Sequence, residues 1–475
     1  MRLRNAGFLL AAASTAAAAI GSAQTSPESV IVHEWGTFTS LQDESGRAIG
    51  GINTDDEPVP RFVHRVSGSL LQSPSEVPLI FFQGAPACHP DVTMRLETPV
   101  LYFHLPQGQT ALPRVNVTAQ FRGGWLTEFY PDAVVDAPGV EDSDRATSFG
   151  PLRADTVGTL TWRDLDVGVS GSGPRTKEHV WTSPRDVTAA SVRTRKGEVE
   201  KFLFYRGVAH IDAPIAVSRV GVAGLALRAQ LPAELATSGV LELRSLWLVD
   251  IAPTGRVAFR SLPASALDAT GNTPGTISAE FAPGDYAENN RATLEDSLKQ
   301  ALIAEGLFDD EAQALLSTWE LSYFKSPGLR LFFIVPRAWT DRYLPLAVSA
   351  PAQITRVMVG RIELVTPTQR DLLGKIARLP KAQIDAESEA LRESFYENLS
   401  DRSHDELMRG AESLAAHGVV VPQSYQLYLA LGRFRNALLL DEASRHSRPA
   451  LDAFIAAYGL EGYTPATSTA AVALR

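Results

Sequence analysis

Residues 30–41 read VIVHEWGTFTSL, a run of β-branched, aromatic and small residues in which apolar positions do not recur at helical spacing. Such a run predicts a β-strand. Side chains alternate between the two faces of a strand, so His33 and Trp35 share one face and Glu34 lies on the other. Similar runs, separated by Gly, Pro, Asp and Asn, continue as far as residue 262. We therefore expect a large antiparallel β-rich region, built as a sandwich or as packed sheets. The predicted strands of this region are 30–41, 77–82, 100–105, 114–121, 156–167, 200–208, 215–224, 241–251 and 256–262.

The pattern becomes helical near residue 286. Apolar residues at helical spacing predict helices over 293–306 and 308–324, followed by strands at 329–336 and 354–365. Thr366-Pro367-Thr368-Gln369 has the pattern of a capping box with proline at the first helical position, which marks a helix start. Further helices are predicted at 367–378, 381–397, 403–417, 422–432, 434–445 and 448–458. The fold class is therefore α+β, a β-rich region followed by a mostly helical one.

These changes of pattern also predict the domain organisation. We expect a β-rich domain at 24–285, a mixed α/β segment at 286–365 that packs on it, a helical C-terminal domain at 366–460 and a flexible tail at 461–475. The helical region is compatible with an α-solenoid-like stack, although no repeat of fixed period is visible.

The first 23 residues predict export. Arg2 and Arg4 precede an apolar, alanine-rich run, and small residues at Gly21 and Ala23 suit signal peptidase. The alternative is a membrane anchor, but the run 6–19 is shorter than the ~20 residues that a span needs. We therefore expect a periplasmic or extracellular protein without a transmembrane segment.

The net charge limits which kinds of binding partner the protein can have, and the cysteine content excludes an intramolecular disulfide. The chain has 44 basic and 54 acidic side chains and a net charge of −10, which argues against nucleic acid and against an anionic membrane surface. A small-molecule, glycan or envelope partner stays open. The single cysteine, Cys88, cannot form an intramolecular disulfide. It is either a reactive thiol or a small side chain within the core.

Residues 31–104 hold the densest set of candidate functional groups: four of the nine histidines and the triplet Asp55-Asp56-Glu57. Ionisable groups among apolar strands are costly unless they are paired, hydrogen-bonded or bound to metal. We take two histidines and the triplet as candidate ligands of a divalent metal ion and Glu34 as a candidate general base. The candidate ligands are His33, His64, Asp55, Asp56 and Glu57.

The chemistry of this set leaves the metal open. Mixed His and carboxylate ligands suit zinc, manganese or iron, whereas carboxylates alone suit calcium. The zincin pattern is excluded because Thr37 stands where its second histidine would be. Each residue also has an ordinary alternative: His33 as a buried, hydrogen-bonded histidine and the triplet as a solvated acidic turn.

Three segments carry a resemblance to known proteins. VHEWGTFTSLQDESGRAIGGINTDDEPVPRFVH (32–64), RLETPVLYFH (95–104) and LRLFFIVPRAWTD (329–341) resemble a group of exported proteins of environmental bacteria, which typically open with a His-Glu-Trp-Gly-Thr-Phe-Thr strand. The resemblance covers most of the chain after the predicted signal peptide. It implies export and a shared fold, and it transfers no catalytic residue.

Two functional hypotheses follow, and whether the protein is an enzyme stays open between them. One is an exported metal-dependent enzyme, namely a hydrolase, with the ligands above. The other is a non-catalytic β-rich binding or envelope-associated protein with a helical docking tail. Under this second hypothesis, four aromatic residues could form a recognition surface, although they could equally be core residues: Trp35, Trp125, Tyr130 and Trp181. An enzyme requires the His and acidic groups to converge in one place.

Overall fold

The computed structural model of the chain describes residues 29–466, apart from 56, 69, 73–74, 79–80, 82–86, 141–148, 233–234, 236–239, 269–275, 404–405, 408–412 and 447. The predicted signal peptide at 1–23, the candidate ligand Asp56 and the end of the predicted tail from 467 onward lie outside the described residues.

Twenty-one strands are found in the part of the chain that the structure describes. They are β1 Val30–Gln42, β2 His64–Arg65, β3 Met94–Leu96, β4 Val100–His104, β5 Leu112–Arg122, β6 Gly124–Tyr130, β7 Val134–Asp136, β8 Val157–Val167, β9 Val192–Arg193, β10 Val199–Glu200, β11 Leu203–Ala209, β12 Ile215–Val220, β13 Gly224–Ala229, β14 Val240–Leu243, β15 Leu246–Ile251, β16 Val257–Leu262, β17 Ser265–Asp268, β18 Ile277–Ser278, β19 Gly328–Ile334, β20 Leu346–Val348 and β21 Ala352–Leu364.

Ten α-helices occur within the same described residues. They are α1 His179–Arg185, α2 Asn290–Ala304, α3 Asp309–Thr318, α4 Glu320–Phe324, α5 Arg337–Tyr343, α6 Pro367–Ile376, α7 Lys381–Leu399, α8 Gln423–Leu429, α9 Arg435–Arg445 and α10 Pro449–Tyr458. Short 3₁₀ turns lie at Pro283–Asp285 and Leu414–His417.

Sixteen of the strands form one large sheet, whose main path runs β10-β9-β8-β6-β11-β3-β1-β21-β19-β15-β16. Smaller sheets join β12, β13 and β18, and β14 and β17. Most pairs are antiparallel, but β1 and β21 run parallel over their full lengths, with Val30 opposite Ala352 and Gln42 opposite Leu364. The α+β fold class is confirmed. The segment 286–365, which we predicted to pack on the β domain, supplies two central strands of this sheet.

Several predicted elements differ in detail. The run 215–224 is part of a hairpin, β12 and β13, with a turn at 221–223, and 241–251 divides into β14 and β15 in different sheets. The predicted helix 308–324 is interrupted at Trp319. No strand covers the described residues of 77–82. Seven of the fifteen residues of the predicted helix 403–417 lie outside the described residues, and its end, Leu414–His417, is a 3₁₀ turn.

The two faces of β1 enter different cores. Val32 and Phe38 lie in a cluster that continues through β5, β8 and β19. Trp35, on the other face, packs with residues of α2 and α3 such as Leu294 and Leu315. Leu41, further along that face, packs with the C-terminal helices, including α6. We call this second face the helical face of the sheet.

No helix within the described residues is long and apolar enough to cross a membrane.

Candidate functional site

Three ionisable side chains from distant parts of the chain meet on the helical face. His33 comes from β1, His104 from the last residue of β4, and Glu311 from the first turn of α3. In the β1–β4 register His33 lies opposite Tyr102, and His104 lies opposite Ile31. Residues two apart share a face, so both imidazoles point the same way from neighbouring strands. We call these three residues the His-Glu cluster.

Glu311 bridges the two histidines. Its Oε2 lies 2.7 Å from His33 Nδ1, and its Oε1 lies 2.9 Å from His104 Nε2. The backbone N–H of Phe308 donates a third hydrogen bond, of 2.8 Å, to Oε2. Glu311 is therefore held at the N-terminus of its helix while both of its oxygens face an imidazole.

The cluster is buried, and its hydrogen bonds favour the ionised form of the carboxylate. The Glu311 side chain is 0% exposed, whereas those of His33 and His104 are 4% and 12% exposed. Burial raises the pKa of Glu311, but hydrogen bonds from His104, His33 and the Phe308 N–H favour the carboxylate, and the net effect lowers the pKa. A charged carboxylate between two imidazoles is suited to hold a proton or a cation.

Phe308 covers the cluster. Its ring centroid lies 4.6 Å from that of His33 and 4.8 Å from that of His104, and the residue is itself 42% exposed. The two imidazoles therefore lie one side chain below the molecular surface.

The donor set fits a transition metal. One ligand atom from each residue can be chosen so that all three lie within 4.8 Å of one another. Two imidazole nitrogens and one carboxylate oxygen are ligands that zinc, manganese and iron accept. Calcium prefers six to eight oxygens, which this cluster does not supply. Without an ion, the same contacts form a hydrogen-bonded clamp between α3 and the sheet.

Of the predicted ligands, the structure brings only His33 into this cluster. His64 lies on β2, where its Nε2 is 3.0 Å from the Glu198 carboxylate and its ring stacks on Phe129. No group of three metal-binding side chains within the described ranges joins His33 with His64 or with the acidic triplet. The predicted ligands that the structure describes are therefore not brought together in one group.

The acids of the triplet that the structure describes have other partners. Asp55 accepts a hydrogen bond of 2.8 Å from Arg206 and faces Arg95 at 3.4 Å. Glu57 accepts a hydrogen bond of 2.9 Å from the backbone N–H of Ser322. Both are buried, so the solvated-turn alternative does not describe them either.

Glu34, the candidate base, lies on the opposite face of β1. Its carboxylate is 0% exposed, accepts a hydrogen bond of 2.5 Å from Arg356 Nε and is also hydrogen-bonded by the Tyr205 hydroxyl. A carboxylate in a buried ion pair across the sheet from the cluster has no route to a reactant there. Strand alternation already placed His33 and Glu34 on opposite faces, so this result could have been anticipated.

Sequence reasoning missed His104 and Glu311. His104 belonged to the histidine-rich segment but had no feature that distinguished it. In the sequence, Glu311 is one of three successive acids, Asp309, Asp310 and Glu311, which favour a helix start, and nothing marks it as a metal ligand. The sequence separation of 278 residues between His33 and Glu311 leaves no local signal of their contact.

Two further alternatives are decided by burial. Cys88 is buried beside Gln72 and burial raises the pKa of its thiol to about 12, so it is not a thiolate nucleophile at neutral pH. The four candidate recognition aromatics are core residues: Trp35, Trp125, Tyr130 and Trp181 are all at most 2% exposed.

Comparison with known proteins adds little. No family model and no curated protein matches the chain. Solved structures do match, among them the zebrafish (Danio rerio) Fcho1 Mu homology domain with a bound Eps15 peptide. That match has 8% sequence identity and a TM-score of 0.25, and it covers 72% of this chain and 96% of that chain. A likeness at this TM-score supports no conclusion about fold or function.

Proposed function

We propose that this is an exported protein that binds one divalent transition-metal ion through His33, His104 and Glu311, and that it uses the ion in hydrolysis. The observation that carries the proposal is the convergence of three metal-binding side chains from β1, β4 and α3 on one point of the helical face. Export is supported by residues 1–23 and by the resemblance of 32–64 to exported bacterial proteins.

The number of ligands favours a catalytic use of the ion over a purely structural one. Structural zinc sites are closed by four protein ligands, whereas catalytic sites have three and keep a position for water. The ion would supply Lewis acidity and lower the pKa of a bound water. Phe308 would limit access of bulk water to the two imidazoles, and its N–H would orient Glu311.

The test is metal analysis of the protein purified without chelator, beside three variants. We expect near-stoichiometric zinc, manganese or iron in the native protein and strongly reduced metal in His104→Ala and Glu311→Gln. His64→Ala is the matched control, because His64 is also a partly buried histidine beside a carboxylate but lies outside the cluster. It should retain the metal.

Hydrolysis is tested next, with chromogenic carboxylic and phosphoric esters. Activity that follows metal content through chelation, re-addition and the three variants would support the enzyme hypothesis. The metal-site proposal would be wrong if the native protein contained no metal, or if both cluster variants kept it. The cluster would then only hold α3 on the sheet through hydrogen bonds. Bound metal without hydrolysis of these esters would support the proposed metal site but contradict the proposed hydrolase activity.

A further inference from the structure

A cleft of about 630 Å³ lies where the large sheet, the β12–β13 hairpin and the C-terminal helical region meet. Its base is one end of the sheet, where β1, β15 and β21 end and β19 begins. Residues of the hairpin, the first turn of α6 and the segment after α8 form its sides. We call it the strand-end cleft. Ligand sites are commonly clefts of this size between separately packed parts of a protein.

One oxygen of the buried Glu363 carboxylate faces this cleft. The side chain is 10% exposed, and Oε1 accepts a hydrogen bond of 2.6 Å from Arg361 Nε. Oε2 has no hydrogen-bond partner among the described residues but keeps some solvent-accessible surface. Burial raises the pKa of Glu363, but the charges of Arg330 and Arg361 outweigh burial, and the net effect lowers the pKa. An ionised oxygen in this position needs a hydrogen-bond donor from outside the chain.

Gly328 keeps the approach to this oxygen open. It begins β19 with φ +139°, a conformation that favours glycine. A Cβ at this position would lie 3.3 Å from Glu363 Oε2 and 3.1 Å from Arg330 Nη2. Because glycine has no side chain, the cleft can pass around the start of β19 from one face of the sheet to the other.

Asp250, at the end of β15, is a second acceptor in the cleft. Its Oδ2 accepts a hydrogen bond from the Tyr286 hydroxyl, whereas Oδ1 has no partner among the described residues. Asp250 lies opposite Leu329 and Glu363 lies opposite Arg330, so the two carboxylates point to opposite faces of the sheet. Their strands flank β19, which places the two backbones about 10 Å apart. A ligand that reaches both acids must therefore be extended.

The cleft has little net charge. The ionisable residues that line it are Arg219, Asp250, Glu280, Glu363 and Arg433. Glu363 is paired with Arg361, and Arg433 is hydrogen-bonded to Glu97, so these two charges are already compensated. Arg219 donates from Nη2 to the Val365 carbonyl at 3.2 Å and has no carboxylate partner among the described residues. A donor and two acceptors are thus available, and a simple acid or a simple amine would match only one kind.

The rim of the cleft is partly apolar. Pro253, Pro327 and Pro367 line it and are all exposed. Proline rings are rigid, so they present fixed apolar surfaces at the mouth of the cleft. The ligand that suits these surroundings has apolar C–H faces together with hydroxyl groups, since each hydroxyl can both donate and accept.

We propose that the strand-end cleft binds a neutral sugar of two rings, a disaccharide. Hydroxyl groups of one ring donate to Glu363 Oε2. Hydroxyl groups of the other ring donate to Asp250 Oδ1 and accept from Arg219. The C–H faces of the rings pack on the prolines of the rim. This site is separate from the His-Glu cluster and does not depend on the proposed metal.

The first experiment is calorimetric titration with five neutral disaccharides: maltose, cellobiose, lactose, trehalose and N,N′-diacetylchitobiose. We expect at least one to bind with a Kd of about 1 mM or lower. Its constituent monosaccharide should bind at least roughly tenfold more weakly, because one ring reaches only one of the two acids. Two charged probes of similar length, 1,6-diaminohexane and adipate, should bind more weakly than this disaccharide. Failure of all five disaccharides, or tighter binding of either charged probe, would overturn the proposal.

The second experiment uses Asp250→Ala and the disaccharide that binds best. The variant should bind it roughly tenfold more weakly, because a hydrogen bond to a charged acceptor is lost. The matched control is Asp166→Ala, since Asp166 is also a partly exposed aspartate on a strand, β8, but lies outside the cleft. It should bind the sugar as the native protein does, and so should His104→Ala. Equal affinities of native protein and Asp250→Ala would contradict the assigned contacts. The comparison of the probes needs no variant, so it is decisive even where Asp250→Ala does not fold.

Discussion

Single side chains show how strongly burial decides the role of a charged residue. Glu34 is adjacent in sequence to His33, yet it belongs to an ion pair with Arg356 on the other face of the sheet, next to the Tyr205 hydroxyl. The guanidinium is 2% exposed and the carboxylate 0% exposed, so water reaches neither group. Each charge is therefore compensated mainly by the other. Its role is therefore structural.

Removing one partner of this pair should be costly. We expect Glu34→Leu to lower the free energy of unfolding by about 3–5 kcal/mol, because Arg356 is left buried without its main counter-charge. The double variant Glu34→Leu/Arg356→Met should lose less than the single one. Urea unfolding of the two proteins measures the difference. A surface control is Asp385→Asn, which breaks the exposed Lys381–Asp385 pair and should cost at most about 1 kcal/mol. Equal losses for Glu34→Leu and Asp385→Asn would show that the buried pair has no special weight.

Glu311 should make stability depend on pH in the acid range. Its pKa in the folded protein lies below the ordinary value of 4.5, so folding favours the carboxylate. This contribution is present above about pH 4.5 and is lost as the pH falls through the lowered pKa. The difference in free energy of unfolding between native protein and Glu311→Gln should therefore shrink on acidification. The exposed Glu389→Gln serves as control. A native-to-variant difference that does not change with acidification would contradict the lowered pKa.

Among the elements, the helix start at Thr366 is the clearest success of sequence reasoning. The Thr366 side chain accepts from the Gln369 N–H at 3.3 Å, and Gln369 Oε1 accepts from the Thr366 N–H at 2.9 Å. α6 begins at Pro367, as predicted. A capping box is read correctly because all of its contacts lie within four residues.

Thr366→Ala should destabilise the protein by about 1 kcal/mol, because it removes the acceptor for an N–H at the helix start. Thr368→Ala is the matched control, since Thr368 is an exposed threonine in the same first turn. Guanidinium unfolding of both variants measures the effect. A loss in Thr368→Ala as large as in Thr366→Ala would mean that the cap itself contributes nothing.

Other elements were missed where tertiary packing overrides the local pattern. Residues 179–185 form α1 despite Pro184, and the buried Val180 and Trp181 anchor that helix on the sheet. The run 241–251 reads as one strand, but its halves pair with β17 on one side and with β16 and β19 on the other. The sequence of this run does not show with which strands each half pairs.

Across the entire chain, the parallel pairing of β1 with β21 has the largest consequence. This pairing places β21, a strand from the C-terminal third of the chain, beside β1, the first strand of the described residues. The two lie at the centre of the large sheet. β19 then continues the sheet from β21. The predicted boundary at residue 285 therefore separates strands that share one sheet.

A fragment 24–285 should not fold cooperatively on its own, because β1 would present its unpaired N–H and C=O groups where β21 belongs. Adding the fragment 286–475 should restore a cooperative thermal transition and protection from proteolysis. Far-UV circular dichroism and limited proteolysis of the separate and mixed fragments test this. A cooperative transition of 24–285 alone would show that the predicted domain boundary is real.

The sequence was sufficient for features whose causes are local. Alternation along 30–41, the capping box at 366–369 and the change from strand to helix spacing correctly predicted the α+β class and most of the larger elements. It also identified His33 as a candidate ligand, because a histidine within an apolar strand needs a partner. The partners themselves, His104 and Glu311, were decided by strand register and helix packing over hundreds of residues. The same holds for Thr39, Arg95 and Arg361, which lie opposite one another only because β1 pairs with both β3 and β21. Local sequence encodes propensity and face, whereas the contacts that build a site depend on which elements pack together.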